Sequence, residues 1–308
     1  MISATIFLIS LLVSGIAGPF ILRGLVALKS RQTIHKDAPQ THQVKAGTPT
    51  MGGLIILAGA IPALVYASTT GIKEAVTALI LLLGFGLIGF IDDYVVPKML
   101  KGKRGLGWIP KLVMQIGLAV AASWNLPIWA MAVSVFFILF FTNAYNFSDG
   151  LDGLAGSLAV WLSIGFGLHS YPSIAFALLG GLIVFLCFNA PPAKVFMGDV
   201  GALAIGAVFG YLFFLNTFSA ATPDFLAYVS SKQFWVFALM SVVMIAELVP
   251  VPLQIFWVKV FKKKLFPFTP IHHAFENAGW PETRVTFMFV MIQAAAVLLG
   301  MSLGVNHV

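Results

Sequence analysis

Five aspartates, in a chain that is 59% hydrophobic and only 9% charged, fall into three short motifs. Asp92 and Asp93 stand in GFIDDY, Asp149 and Asp152 in NFSDGLDG, and Asp199 in FMGDVG. With 11 acidic residues in all, the chain commits almost half of its carboxylates to these three places. The chemistry such a grouping serves is the binding of a hard cation and of phosphate groups. Adjacent carboxylates such as Asp92 and Asp93 resist joint ionisation unless a metal, a lysine or a proton neutralises them. Mg2+ takes oxygen ligands, keeps several waters, and relies on one or two carboxylates plus substrate phosphates. Asp199, flanked by glycines that leave room, is the best single candidate for that ligand.

Other polar residues sit beside these motifs. Asn143 and Asn146 are four apart at the end of an apolar run and add hydrogen-bonding groups next to Asp149. If NFSDGLDG opens a helix, Asp149 and Asp152 share a face of its first turn, where they would bind a ligand or simply cap the helix. Phe196 could stack on a nucleobase or pack at a membrane boundary. Lys45 can neutralise a phosphate, and Thr48 and Thr50 in AGTPTMGG can bind phosphate oxygen or cap the helix that follows. His272 and His273 are adjacent, without Cys or further His at ligand spacing. A zinc site is therefore weakly supported, and donation to phosphate or sugar oxygens is the better reading.

These residues need elements to hold them, and the composition says what those are. A mean hydropathy of +0.97 over 308 residues excludes an ordinary soluble domain, where about a quarter of residues are charged. Apolar stretches near the roughly 20 residues that cross a bilayer recur at about 2–22, 50–68, 75–91, 109–124, 127–147, 153–169, 172–189, 200–218, 233–258 and 285–305. They are apolar throughout rather than alternating, so the expected fold is an all-α polytopic membrane protein with about ten transmembrane helices. Residues 1–308 form a single integral-membrane domain, with no separate soluble part. No Lys or Arg precedes Arg23, so the first stretch reads as a span with its N-terminus outside rather than a secretory signal. Pro250 and Pro252 should kink or break the ninth span, either as a packing kink or to open a groove for a lipid tail.

Of the 18 basic residues, 16 fall in the loops after odd-numbered spans; only Lys73 and Lys232 do not. Those loops are therefore expected to be cytoplasmic and both termini extracytoplasmic. All five motif aspartates then lie on the cytoplasmic face, where one shared site is possible. The net charge of +7 is explained by membrane anchoring and anionic substrates, with no nucleic acid. A secondary transporter would place its coupling acids near the bilayer midplane, and only Glu247 is a candidate for that.

TPTMGG, GFIDDY, NAYNFSDGLDGLAG, VFMGDVGALAIG and PIHHAFENAGWPETRV, in this order, resemble the polyprenyl-phosphate N-acetylhexosamine-1-phosphate transferases, from about residue 42 to 290. The His-His stretch and GWPE are similar to the branch that uses UDP-MurNAc-pentapeptide; a sister branch uses UDP-GlcNAc or a related UDP-sugar. The resemblance implies transfer of phospho-MurNAc-pentapeptide to undecaprenyl phosphate, giving lipid I and UMP. It also implies dependence on Mg2+, ten helices in the bacterial cytoplasmic membrane, an active site facing the cytoplasm, and a homodimer. By the same resemblance, Asp199 binds Mg2+, Asp92 contacts or activates the lipid phosphate, and Asp93 supports it. Asp149, Asp152 and Phe196 hold the uridine nucleotide, and Lys45, His272 and His273 lie near phosphates or sugar; Asn146 and Thr50 join the substrate-binding residues on their own hydrogen-bonding chemistry. Gln254 is a further substrate contact. The chain departs from the family pattern at Ala274, where a third histidine is common, and at Val200 and Ala202, where a serine or threonine often follows the aspartate. Phosphoryl transfer needs positioning and charge neutralisation, and a phosphate with a second pKa of about 6 is already an anion. Direct attack and a two-step route through an aspartyl-phosphate both remain open at this stage.

Overall fold

The computed structural model describes residues 1–28, 47–100 and 105–304. Among these residues every regular element is helical. We number the main helices α1 (Ile2–Ala27), α2 (Gly53–Thr69), α3 (Glu74–Phe90), α4 (Trp108–Ser123), α5 (Ile128–Ser148), α6 (Leu154–His169), α7 (Pro172–Asn189), α8 (Gly198–Thr217), α9 (Lys232–Met240), α10 (Val242–Leu248), α11 (Pro250–Phe261), α12 (Ile271–Asn277) and α13 (Glu282–Gly304). A π-helical turn, Ile91–Val95, and a short helix, Val96–Met99, continue α3.

Among the described residues, seven helical stretches are long and apolar enough to cross a membrane: Ile2–Ala27, Glu74–Met99, Ile128–Ser148, Pro172–Asn189, Gly198–Thr217, Val242–Phe261 and Glu282–Gly304. Three shorter apolar helices, α2, α4 and α6, accompany them. The expected segments thus all form helices, with one correction. The ninth, expected as one span over 233–258, is divided into α9, α10 and α11. The prolines account for the second division, because Pro250 has no N–H to continue the ladder from α10. The first falls at Ser241, whose φ of −101° and ψ of 12° leave the helical region. Its hydroxyl bonds the Phe237 carbonyl at 2.8 Å, while the Met240 carbonyl is taken up by the Gln293 amide of α13 at 2.6 Å. A side chain from a packed neighbour thus satisfies an acceptor at the interruption.

The core is built around α8. Seventeen of its 20 residues are buried, and it packs against α5 and α3 most extensively and also against α2 and α6. Small residues make that possible, since helix association within lipid depends on close van der Waals packing. A Cβ added to Gly53 would overlap the backbone of Gly201, and one added to Gly210 would overlap Phe137 and Ile138. At the periphery, α1 shows how an outer helix divides its faces. Leu8, Leu12, Ile16 and Phe20, four apart, are exposed as one apolar stripe. On other faces, Ser10 and Ser14 donate to the Ala177 carbonyl of α7 at 2.6 Å and the Ile55 carbonyl of α2 at 2.8 Å. The exposed stripe suits contact with lipid; the hydroxyls tie helix to helix.

Gly53→Ala should therefore separate α2 from α8 and lower the thermal midpoint in detergent, with an overpacking cost of roughly 1–3 kcal/mol. Gly117→Ala, where nothing among the described residues lies within 4 Å of the added carbon, is the control and should leave the midpoint unchanged. Equal midpoints for the two variants would show that the close α2–α8 approach does not hold the bundle.

Candidate functional site

The site gathers at the N-terminus of α8. A helix begins with backbone N–H groups that have no intrahelical acceptor, and burial makes them costly to leave unpaired. Carboxylates from two distant motifs meet this need. Asp149 accepts the Gly198 N–H at 3.0 Å, and Asp93 accepts the Val200 N–H at 3.2 Å. Gly198 holds a left-handed φ of 69°, and a Cβ there would lie 2.5 Å from the Asp93 carboxylate and 2.6 Å from Thr50 Oγ1. Only glycine fits that position. Burial pushes the Asp149 carboxyl well above the usual carboxylate range; the Gly198 N–H works against this, while Asp199, Asp93 and Asp152 reinforce it.

Capping of the local helices, one of the roles open to these residues, is not what forms. α6 starts only at Leu154, behind Gly153, with no side-chain cap. Asp149 and Asp152 therefore lie before its first turn rather than on it, and Asp149 caps α8 instead. Similarly, α2 begins after Gly52 with no side-chain cap from Thr48 or Thr50. TPTMGG and VFMGD instead pair through their backbones: Phe196 N–H to Pro49 O at 2.9 Å, Gly52 N–H to Phe196 O at 2.7 Å, and Gly53 N–H to Met197 O at 2.9 Å. This pairing positions Thr50 against Gly198 at the head of α8.

The remaining acids complete the cluster. Within the π turn, Asp93 faces α8 while Asp92 faces α4. The Asp92 carboxylate accepts the Leu106 N–H at 2.7 Å and the Lys111 ammonium at 3.0 Å. Lys111 also reaches Asp199 at 2.5 Å, and the Asn146 amide donates to the other Asp199 oxygen at 2.6 Å. Asp92, Asp93 and Asp199 each offer an oxygen within 4.8 Å of the others. Three carboxylates converging around one ammonium form a hard-oxygen donor set that fits a divalent cation such as Mg2+. Lys111 was counted from the sequence only as a basic residue. Its one legible signal is its place in WIPK, the first turn of an apolar segment on the same side as the aspartates.

Other predicted residues are placed less directly. Asp152 accepts the Ala193 N–H at 2.9 Å, and its own N–H goes to Glu282 at 2.6 Å. Asn189 braces this corner by accepting the Gly153 N–H and donating to Val195 O. Asn143 turns back to its own helix at Leu139 O. His272 is buried, and Glu247 contacts both its Nδ1 at 2.6 Å and its backbone N–H at 3.3 Å. Glu247 is thus engaged in a fixed pair. The half-exposed His273 pairs with Glu276 at 2.7 Å. These two histidines and Glu276 also converge within 4.8 Å, but both Nδ1 atoms are taken by carboxylates. Gln254 pins the chain after α11, accepting from the Leu265 and Phe266 N–H groups and donating to Phe266 O. Lys45 lies outside the described residues.

The chain is similar to known proteins along most of its length. The family model for glycosyl transferase family 4 matches residues 75–217. Signature 1 of the phospho-N-acetylmuramoyl-pentapeptide-transferases matches residues 45–57. Proteins of that name are similar along nearly their whole length. The one from Heliobacterium modesticaldum is 35% identical over 327 residues, covering 96% of both chains. Those from Clostridioides difficile and Staphylococcus haemolyticus are each 34% identical, with coverage of 92% of both chains and of 97% and 98% respectively.

Replacing Lys111 with Met should leave Asp92 and Asp199 facing each other without a counter-charge. The variant's thermal midpoint in EDTA should fall by several degrees, and millimolar Mg2+ should restore most of the loss, with a smaller Mg2+ effect on the unaltered protein. A midpoint indifferent to both Lys111 and Mg2+ would exclude charge balance at this cluster.

Proposed function

The chain belongs to the phospho-N-acetylmuramoyl-pentapeptide transferases, and from that premise we propose how its residues carry the reaction. It transfers phospho-MurNAc-pentapeptide from UDP-MurNAc-pentapeptide to undecaprenyl phosphate, forming lipid I and UMP, the first membrane step of peptidoglycan synthesis. The observation that carries the assignment to this site is the meeting of three separate aspartate motifs at the head of α8, around Lys111 and Asn146. In our reading ten helices cross the bacterial inner membrane, both termini face outward, and the site opens to the cytoplasm. The basic-residue count supports that orientation. A homodimer belongs to the same proposal.

An oxygen of undecaprenyl phosphate forms a bond to the phosphorus attached to MurNAc. The bond from that phosphorus to the bridging oxygen breaks, and UMP leaves with the oxygen and its electron pair. Mg2+, when bound by Asp199 with Asp92 and Asp93, supplies charge neutralisation for the phosphates. Asp92 orients the acceptor. Both of its oxygens already accept hydrogen bonds, which suits a fixed positioning group better than a free nucleophile, and an anionic acceptor needs no base. Lys111 balances charge between Asp92 and Asp199. Asn146 fixes the Asp199 carboxylate. Asp149 and Asp152 shape the turn that faces the nucleotide sugar, together with Thr50, Phe196 and His273, and Lys45 is assigned to the substrate by its motif alone. Gln254 holds the loop beside the lipid-exposed α11.

Asp199→Ala should lower UMP release at least a thousandfold, and EDTA should silence the unaltered protein until Mg2+ is returned. Asp92→Asn should cause a smaller loss with the pH profile unmoved; a trapped aspartyl-phosphate would instead establish the two-step route. Purified protein given undecaprenyl phosphate with either UDP-MurNAc-pentapeptide or UDP-GlcNAc should release UMP from the first alone. Release only from UDP-GlcNAc would place the chain in the sister branch.

A further inference from the structure

The pair of Glu247 and His272 is fully buried, at 0% exposure for both side chains, and the reaction as described does not use it. Its geometry is two-ended. At one end Glu247, on α10, accepts both the backbone N–H of His272, in the first turn of α12, and the ring at Nδ1. At the other end Nε2 is buried and has no hydrogen-bond partner among the described residues. It faces Gly150, where an added Cβ would lie 2.7 Å from it. The glycine Cα–H therefore points toward Nε2, an approach compatible with a lone pair there and crowded by a proton. Both ends favour a ring proton on Nδ1 over one on Nε2.

We propose that Glu247 and His272 are positioning residues, a buried strut that sets the Asp149–Asp152 turn through Gly150. Asp149 follows from this turn to the Gly198 N–H, and Asp199 is the next residue of that helix. The strut thus reaches the proposed metal carboxylate through four short steps: Glu247 to His272, His272 to Gly150, Asp149 to Gly198, and Gly198 to Asp199. Glu247 answers for an acid inside an apolar span, since its carboxylate meets two donors on one residue. His272, expected from its motif to touch substrate, acts in this proposal from behind the site, and His273 is the histidine left facing outward. The inference rests on the transferase reading above.

Glu247→Gln tests it. An amide cannot accept at both positions: its NH2 meets either the His272 N–H, as donor against donor, or Nδ1, which moves the ring proton to Nε2 and against Gly150. The expected result is a fall in kcat of about tenfold, an increase of several-fold in the Mg2+ concentration for half-maximal rate, and a donor KM within about twofold. Gly150→Ala should act on the same contact, so the double variant should be little worse than either single one. The direct readout is the 15N spectrum of full-length protein labelled at histidine, with His272→Gln for assignment. It should show a buried ring protonated at Nδ1 in the unaltered protein. Protonation at Nε2 would overturn the proposal, as would an unchanged kcat in Glu247→Gln. A raised donor KM with kcat intact would return His272 to direct substrate contact. If Glu247→Gln does not fold, the unaltered protein's spectrum and Gly150→Ala decide the matter. Absence of UMP release from the unaltered protein would instead mark failure of the transferase reading.

Discussion

The constraint on which the structure turns is the satisfaction of a partly enclosed helix N-terminus. α8 occupies the middle of the bundle and its first turn is partly enclosed, so the chain supplies acceptors for its first N–H groups. It does so with Asp93 and Asp149, which come from elements 107 and 49 residues away in sequence. The positive end of the helix favours negative charge, and that concentration of carboxylate is also what a divalent cation requires. Folding and chemistry therefore draw on the same electrostatics. The aspartates that close the bundle place Asp199 among them, and the excess negative charge creates the need for Lys111 or a metal.

Much of this architecture was legible as local composition. The ten apolar stretches, the loop charges and the five aspartates are properties of short segments, and each stretch forms helix, the ninth in three pieces. What escaped were relations between segments. Lys111 looks like any basic residue at the start of a span until α4 packs beside α3 and α5, when its ammonium falls between Asp92 and Asp199. Asp149 and Asp152 have the composition of a local cap, yet Gly153 at a φ of 75° starts α6 beyond them. The interruption at Ser241 is similarly tertiary. Serine does not break a helix by itself, and here Gln293 from α13 receives the carbonyl beside the break.

The proline and glycine signals divide in the same way. Pro250 acted locally, at the point expected. The glycines of TPTMGG and VFMGD act across space: their backbones pair, and Gly53 meets Gly201 without a side chain between them. A motif read as room for a ligand is thus also a requirement of packing. Both demands fall on the same residues, because the site is formed where helices approach most closely.

The enclosure of α8 has a consequence for how the protein experiences its solvent. Outer helices such as α1 present an apolar stripe directly to their surroundings and must adjust by tilt when the hydrocarbon thickness changes. α8 has almost no such surface. A thicker or thinner bilayer reaches the helix bearing Asp199 through its neighbours, and the contacts of α2, α3 and α5 with it are backbone-close and resist sliding. Hydrophobic mismatch is therefore absorbed in the outer shell of the bundle, before it reaches the carboxylates.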